Sequence, residues 1–359
     1  MSAAAAPNAP RVSTPHAGAD QPDARSRDAH VAALVPLARE CNTLKRVHAA
    51  GRAGSWAARA FARAWGALAA GEPAAAVMQA ELGAAVIATR LGAIDAEFLR
   101  AERVPAAQAG EVLRRGWDAA TAALREADDG ADDAPGRRSS YDALLAAAAP
   151  DDGRGDEHHV APGLLDYLGR VGHAPAPAFV RLLAEQSRAG PTRPDTPRLM
   201  LVPAESHAEH CWAVAVTGAL LAPAYDADPA RVFLAGLAHH LANAWLPDAG
   251  DAADVALGDA LAGLVPVLRA RALAQLPPAL RDAVEDALRV PPDTASPDAH
   301  AFHAADALDR VLEMEWFARA AAFTLDAALG EGPGAFDVLH PGPNQDVERA
   351  ALRAAGLYA

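Results

Sequence analysis

Residues 205–216 read ESHAEHCWAVAV, and this stretch decides the fold. Trp212, Val216 and Leu220 recur at intervals of four, the spacing of one face of an α-helix. Two further stretches, LAGLAHHLANAWLPDAGD at 234–251 and DAHAFHAADALDRVLEMEWF at 298–317, have the same character. Each predicts a helix whose apolar face is interrupted by histidine or aspartate. Because a stranded buried imidazole or carboxylate is costly, these residues are expected to be hydrogen-bonded or to bind a metal.

The histidines are concentrated in these stretches, which together hold His207, His210, His239, His240, His300 and His303. A helical bundle builds a metal site when several helices each direct an imidazole or a carboxylate to one point. The three stretches therefore predict a metal centre inside a bundle.

The composition outside these stretches also favours helices. Hydrophobic residues make up 52% of the chain and aromatic residues only 5%, so alanine and leucine supply most of the apolar content. Alanine has the highest helix propensity, and the β-branched residues that favour strands are few. The predicted fold class is all-α. Lysine occurs once, at Lys45, beside abundant arginine, and no function follows from this bias alone.

Changes in composition divide the 359 residues into five predicted segments. Asp-, Gly- and Arg-rich sequence marks a linker between two helical regions. The segments are a disordered tail at 1–29, a helical domain of unknown role at 30–127, a flexible acidic linker at 128–163, a second helical domain at 164–330 that holds the three histidine stretches, and a C-terminal tail with a short helix at 331–359.

The charge and the cysteine content restrict the expected partners. The formal net charge is −14, which disfavours binding to nucleic-acid polymers and to anionic membrane surfaces. No run of apolar residues long enough to span a membrane is free of charges and turn formers, so no membrane span is expected. Two cysteines are too few for a disulfide framework, and the N-terminus has no secretory signal pattern. These features predict a cytoplasmic protein.

The order and spacing of the polar residues resemble those of the HD-domain metal-dependent phosphohydrolases, in their 5'-nucleotidase-like branch. The family pattern ES-x-AEH matches residues 205–210, L-x-HD matches 237–240, and A-D-x-L matches 305–308. The resemblance covers residues 197–329. It implies that the second helical domain is an HD-domain helical bundle, preceded by another helical domain.

The resemblance also implies roles for individual residues. It assigns His210, His239 and Asp306 as metal ligands, and Asp248 as a catalytic acid that orients or deprotonates water. The Asp that gives the family its name is His240 here, which can still bind a metal but brings no negative charge. Three imidazoles and one carboxylate favour Zn, Fe, Co or Ni over Mg or Mn. The expected cofactor is a divalent transition metal, and its identity stays open among Zn, Fe, Co, Ni and, less favoured by these ligands, Mn.

Three neighbouring positions bear on catalysis. His207 lies one helical turn before His210 on the same face, where it could be an outer-shell partner, a phosphate contact or a fourth ligand, and we include it among the catalytic candidates. Asn243 replaces an acid that the family often has one turn after the HD pair. The family often supplies a phosphate-binding Arg from the loop before residue 205, and Arg198 is the nearest candidate.

Two functions remain open at this point. The first is a divergent HD-domain metal-dependent phosphohydrolase acting on a small phosphate ester such as a nucleotide. The second is a catalytically degenerate HD domain that serves as a metal- or nucleotide-binding regulatory or scaffold module, which the residues His240 and Asn243 favour. Iron-dependent oxidation would require a further histidine pair, and none occurs between His240 and His300.

The expected partner is a small phosphorylated metabolite or nucleotide, and a homodimer is considered because relatives are often dimers.

Overall fold

The computed structural model describes residues 22–129, 160–171, 174–189 and 201–321, with positions 142, 144, 145 and 148. These residues are 76% helical and contain no β-strand, so the prediction of an all-α fold is confirmed. Most of the predicted linker, the residues before 22 and those after 321 lie outside the described residues. Helix α1 begins at Pro22, inside the segment 1–29 that the composition predicted as a tail.

The described chain before residue 190 forms seven α-helices and one 3-10 helix. These are α1 (Pro22–Thr43), the 3-10 helix Leu44–Arg46, α2 (Trp56–Ala69), α3 (Ala74–Leu91), α4 (Ala96–Ala101), α5 (Ala106–Asp129), α6 (Val160–Val171) and α7 (Ala178–Glu185).

The three histidine stretches lie in the next group of described helices. These are α8 (His207–Leu221), the 3-10 helix Ala222–Tyr225, α9 (Pro229–Ala238), the 3-10 helix Leu241–Ala244, α10 (Asp251–Leu257), α11 (Asp259–Leu273), α12 (Pro278–Ala287) and α13 (Pro297–Ala321).

Helix α8 is the centre of the bundle. It starts with a capping box, in which the Ser206 hydroxyl accepts from the Glu209 backbone N–H and the Glu209 carboxylate accepts from the Ser206 backbone N–H. Every residue from His207 to Leu221 is buried. A helix that is apolar all round is covered on all sides, and α8 packs against α2, α9 and α13.

Helices α9 and α13 bring the remaining polar positions to α8. The Asp228 carboxylate caps the start of α9 by accepting from the Ala230 and Arg231 backbone N–H groups, at 2.9 and 3.3 Å. Helix α9 ends at Ala238, and His239 and His240 form the turn into the following 3-10 helix. This turn places both imidazoles at the end of α9, facing α8.

The two sides of the predicted linker share one apolar core. A single cluster of buried side chains extends from Leu34 in α1 to Ala305 in α13. Within it, Trp56 of α2 packs edge-on against Trp212 of α8, with ring centroids 5.4 Å apart. Contacts of this kind attach α1, α2 and α3 directly to α8, the helix that carries His207 and His210. The division into two domains stays a prediction.

Helix α3 is the one described helix that is long and apolar enough to cross a membrane by length and composition. Its mean hydropathy is 1.2, and 56% of the window is buried inside the protein. Its side chains Leu82 and Val86 are fully buried. One such helix is weak support for a span, because the core helix of a soluble protein has the same properties.

The close approach of α8 and α9 depends on Gly236. A Cβ at this position would lie 2.5 Å from the Ala215 Cα and 2.6 Å from its backbone nitrogen. We predict that Gly236→Ala lowers the stability by about 1–3 kcal/mol, because the helix backbones must separate. Thermal unfolding of the purified variant measures this effect.

Gly263→Ala is the matched control, since a Cβ at Gly263 in α11 meets nothing within 4 Å. It should keep or raise the melting temperature, because alanine is favoured over glycine within a helix by up to about 1 kcal/mol. Equal melting temperatures for Gly236→Ala and the wild type would contradict the proposed close approach.

Candidate metal centre

His210 of α8, His239 at the end of α9 and Asp306 of α13 meet at one point. The Nε2 atoms of His210 and His239 are 3.2 Å apart, and Nε2 of His210 lies 3.4 Å from Oδ1 of Asp306. The predicted ligands from three separate stretches are therefore neighbours. The ligand atoms of His210, His239 and His240 all lie within 4.8 Å of one another, so this group could hold a metal ion.

The hydrogen-bond partners of the rings determine which nitrogens carry protons. Nδ1 of His239 donates to the Gly236 carbonyl at 2.7 Å, which leaves Nε2 as a bare acceptor. Nδ1 of His210 donates to Oδ2 of Asp309 at 2.7 Å, so Nε2 is the ring nitrogen that is left for a ligand, and in the neutral ring it is an acceptor. Both tautomers are assigned from these partners.

Nε2 of His239 and Oδ1 of Asp306 are both acceptors, and both lie against Nε2 of His210. Either a proton on Nε2 of His210 or a cation held by the three atoms satisfies them. Two ligand atoms that are each about 2.1 Å from one zinc ion lie roughly 3.0–3.4 Å apart at tetrahedral or octahedral angles. The separations of 3.2 and 3.4 Å match that spacing. The residues present fit a bound metal.

His240 is oriented for the same role. Its Nδ1 donates to Oδ1 of Asn243 at 3.0 Å, and the Asn243 amide donates to the Leu246 carbonyl, which fixes the orientation of the amide. Nε2 of His240 is therefore free as a ligand atom. Asn243 cannot act as a base, but it holds His240 as outer-shell groups hold metal-binding histidines.

The electrostatics keep the ligands in their metal-binding protonation states. Burial and the neighbouring His210 lower the pKa of His239 to about 3. Burial and the adjacent histidines also hold the pKa of His240 well below its usual value. Burial opposes ionisation of Asp306, but hydrogen bonds with His210 and Arg310 outweigh it and lower its pKa. Two neutral imidazoles and an ionised carboxylate are the forms that bind a metal.

Lys45 occupies a second group of acceptors behind His210. Glu205, His210 and Asp309 also lie close enough to hold a metal by geometry alone. The ammonium of Lys45 donates to Oδ1 of Asp309 at 2.5 Å and to the carboxylate of Glu205. Since a cation of the protein already lies between these carboxylates, the other face of His210 is where a metal ion could be held.

Of the two predicted catalytic residues, His207 lies beside His240 and Asp248 lies beside His207. The rings of His207 and His240 have centroids 4.8 Å apart, and Nε2 of His207 is 3.7 Å from Oδ2 of Asp248. His207 is fully buried, and neither ring nitrogen has a hydrogen-bond partner among the described residues. Asp248 accepts from the backbone N–H groups of Ala189 and Gly250, each at 3.0 Å. These bonds hold its carboxylate beside the histidines.

Arg188 is a basic residue of the site that the sequence analysis did not identify. Its Nη1 donates to Oε2 of Glu205 at 2.8 Å and lies 3.1 Å from Nδ1 of His210. Its Nε has no partner among the described residues, and 21% of its side chain is exposed. Arg198, the sequence-based candidate for a phosphate contact, lies outside the described residues.

Two further histidines lie away from the centre. His300 and His303 are exposed on α13, where their Nε2 atoms contact the backbone carbonyls of Thr294 and Asp293. The position of His303 three residues before Asp306 therefore does not bring it to the metal ligands.

Comparisons of this chain with protein-family models, with curated proteins and with solved structures find no match. The chemistry of the centre is therefore argued from its own geometry.

The burial of His207 predicts a loss of stability in acid. Burial lowers the pKa of its imidazole to about 4, whereas in the unfolded chain it titrates near pH 6.5. Below pH 6.5 the unfolded state binds a proton that the folded state excludes, so the stability falls as the pH drops toward 4. His207→Leu removes this difference. The change in unfolding free energy that the substitution causes should therefore be about 2 kcal/mol more favourable at pH 5 than at pH 7.5.

Urea unfolding at pH 5 and pH 7.5 measures this difference. His303→Gln controls for the loss of a histidine at an exposed position. If His207→Leu changed the stability equally at the two pH values, the assigned burial of a neutral His207 would be wrong.

Proposed function

We propose that this chain is a divergent HD-domain metal-dependent phosphohydrolase that acts on a small phosphate ester, with a nucleotide as one candidate. The observation that carries the proposal is that Nε2 of His210 lies 3.2 Å from Nε2 of His239 and 3.4 Å from Oδ1 of Asp306, a spacing that two ligands of one metal ion would have. In this proposal these residues and His240 hold a divalent transition metal.

The ligand set favours a particular class of metal. Imidazole nitrogens suit Zn, Fe, Co and Ni, whereas Mg prefers a shell of oxygen atoms. A metal of the favoured class supplies a Lewis acid that polarises a phosphoryl oxygen and lowers the pKa of bound water. The remaining steps depend on the residues around the centre.

Arg188 is the group best placed to bind the phosphate. It is the basic side chain that lies against His210, and it is partly exposed rather than enclosed. A planar guanidinium can donate two N–H groups to one phosphate. Because Nη1 already pairs with Glu205 and Nε is enclosed by the protein, Nη2 is the atom that remains for an incoming ester.

Asp248 is the proposed water-orienting acid. Its carboxylate lies next to His207 and is 22% exposed, so water can reach it. The backbone N–H groups of Ala189 and Gly250 fix its direction, which is the preorganisation that a positioned acid or base requires. His207 lines the space between Asp248 and His240.

A regulatory metal-binding module is the second candidate, and a specific observation favours it. Both oxygens of Asp248 already accept backbone hydrogen bonds, and Asn243 holds His240 without offering a base. Such a module would bind the metal through the same ligands but would show no turnover of phosphate esters.

We predict that purified protein binds about one equivalent of transition metal. His239→Ala and His240→Ala should lose it, because each removes an imidazole ligand. Elemental mass spectrometry after loading with Zn, Fe, Mn or Co measures the content. His303→Ala, an exposed histidine on α13, is the control and should retain the metal. A wild-type protein that takes up none of these metals would exclude both candidates.

Hydrolysis of a panel of small phosphate esters by the loaded protein then separates the candidates. Turnover that is lost in His239→Ala supports the hydrolase. A loaded protein with no turnover on the panel supports the regulatory module.

Arg188→Gln should raise the KM for a hydrolysed ester by about tenfold or more, since it removes a charge-assisted hydrogen bond. Steady-state kinetics with the best ester of the panel measures it, with inorganic phosphate as the competing ligand. Arg181→Gln is the matched control, because Arg181 is an exposed residue of α7 that pairs with Glu185. An unchanged KM in an Arg188→Gln protein that retains its metal would exclude Arg188 as the phosphate contact.

A further inference from the structure

The single lysine of the chain is enclosed beside the metal centre. Lys45 lies in the 3-10 helix after α1, and its side chain has no exposed surface. Three carboxylates surround its ammonium: Glu205 before α8, and Asp309 and Glu313 on α13. Burial disfavours the charged form, but these carboxylates outweigh it and raise the pKa of Lys45.

Stability alone does not account for this arrangement. Removing a cation and its carboxylates from water costs several kcal/mol, and the pairing often only offsets that cost. A well-packed apolar side chain could fill the same volume. The role of these ion pairs is therefore to be sought in their effect on neighbouring side chains.

The neighbour that they affect is His210. Oδ1 of Asp309 accepts from Lys45 at 2.5 Å and from the amide of Asn42 at 2.9 Å. The second oxygen, Oδ2, is thereby directed at Nδ1 of His210, at 2.7 Å. Nη1 of Arg188 also lies 3.1 Å from Nδ1, but the carboxylate is closer and can only accept, so the proton of the 2.7 Å contact belongs to Nδ1 of His210. In the neutral ring, Nε2 is then the bare nitrogen that faces His239 and Asp306.

We propose that Lys45 is a positioning residue for the metal centre. Together with Asn42, its ammonium holds Asp309 against His210 and so selects the tautomer in which Nε2 is the ligand atom. The residues that do this come from α1 and the turn after it, so the first helical region completes the centre in the second. This inference rests on the metal centre of the proposed function, but it does not depend on hydrolysis.

The tautomer of His210 tests the inference without any metal. In metal-free protein labelled with ¹⁵N-histidine, the ring nitrogens of His210 report which one is protonated, and the signals are assigned by their loss in His210→Gln. We expect a proton on Nδ1 and a bare Nε2. A proton on Nε2 in the wild type would overturn the inference even if the protein binds metal.

Metal affinity tests the role of Lys45 itself. Lys45→Met keeps the length of the side chain and removes its charge, and it should weaken Zn²⁺ or Co²⁺ binding by about 10- to 100-fold, the range seen when outer-shell partners of metal ligands are removed. Competition against a chelator measures the dissociation constant. The absorption spectrum of bound Co²⁺ should change as well, because the His210 ligand is no longer fixed.

Arg63→Met is the matched control. Arg63 makes a two-point ion pair with the fully buried Glu81, far along the chain from the histidines. It should lower the melting temperature but leave the metal affinity and the Co²⁺ spectrum unchanged. If Lys45→Met does not fold, Lys45→Gln replaces it, since its amide still donates two N–H groups to the carboxylates but carries no charge.

The outcomes separate the two proposals. A folded Lys45 variant with wild-type affinity and an unchanged Co²⁺ spectrum overturns the positioning role while leaving the metal centre intact. Weakened binding in the Lys45 variant beside unchanged binding in Arg63→Met supports it. A wild-type protein that binds no metal removes the proposed function, and the tautomer of His210 then shows whether Lys45 and Asp309 still direct the ring.

Discussion

The hydrogen bond from Nδ1 of His210 to Asp309 is the contact on which the rest of the centre depends. It fixes a proton on one side of a fully buried ring and exposes the lone pair on the other side. It also joins α8 to α13, so that Asp306, one turn before Asp309 on the same helix, is brought to that lone pair. His239 and His240 can share a metal ion with His210 only through the lone pair of this nitrogen.

The burial of α8 imposes a second constraint. A ligand-bearing helix that is covered on every side requires apolar partners all round, and α9 and α13 supply only part of that cover. The remainder comes from the first helices, through contacts such as that between Trp56 and Trp212. The region whose role the sequence left open therefore contributes to the core around the centre. It also supplies the ammonium that compensates the acids behind His210.

Two physical reasons explain why the helical class and the histidines and aspartate that lie together could be predicted from the sequence. Alanine-rich composition leaves helices as the main option, and histidines that interrupt an apolar face at helical spacing must share a polar interior. Lys45 and Asn42 could not be found in this way, because they lie more than 260 residues from Asp309 and belong to no local pattern. Arg188 was missed for a related reason, since its approach to His210 depends on how the chain after α7 turns back. The sequence shows Asp309 one turn after Asp306, but it does not show that the Asp309 carboxylate points at His210.

The charges around the centre explain what the replacement of aspartate by His240 changes. Among the described residues around the centre, the acids are Glu205, Asp248, Asp306, Asp309 and Glu313, and the bases are Lys45, Arg46, Arg188 and Arg310. Five negative and four positive charges sum to −1, and the histidines add none while they are neutral. An aspartate at position 240 would make this sum −2, which suits hard cations that bind through charge. With an imidazole there, the affinity must come from nitrogen lone pairs, and metals that bind nitrogen strongly are favoured over magnesium.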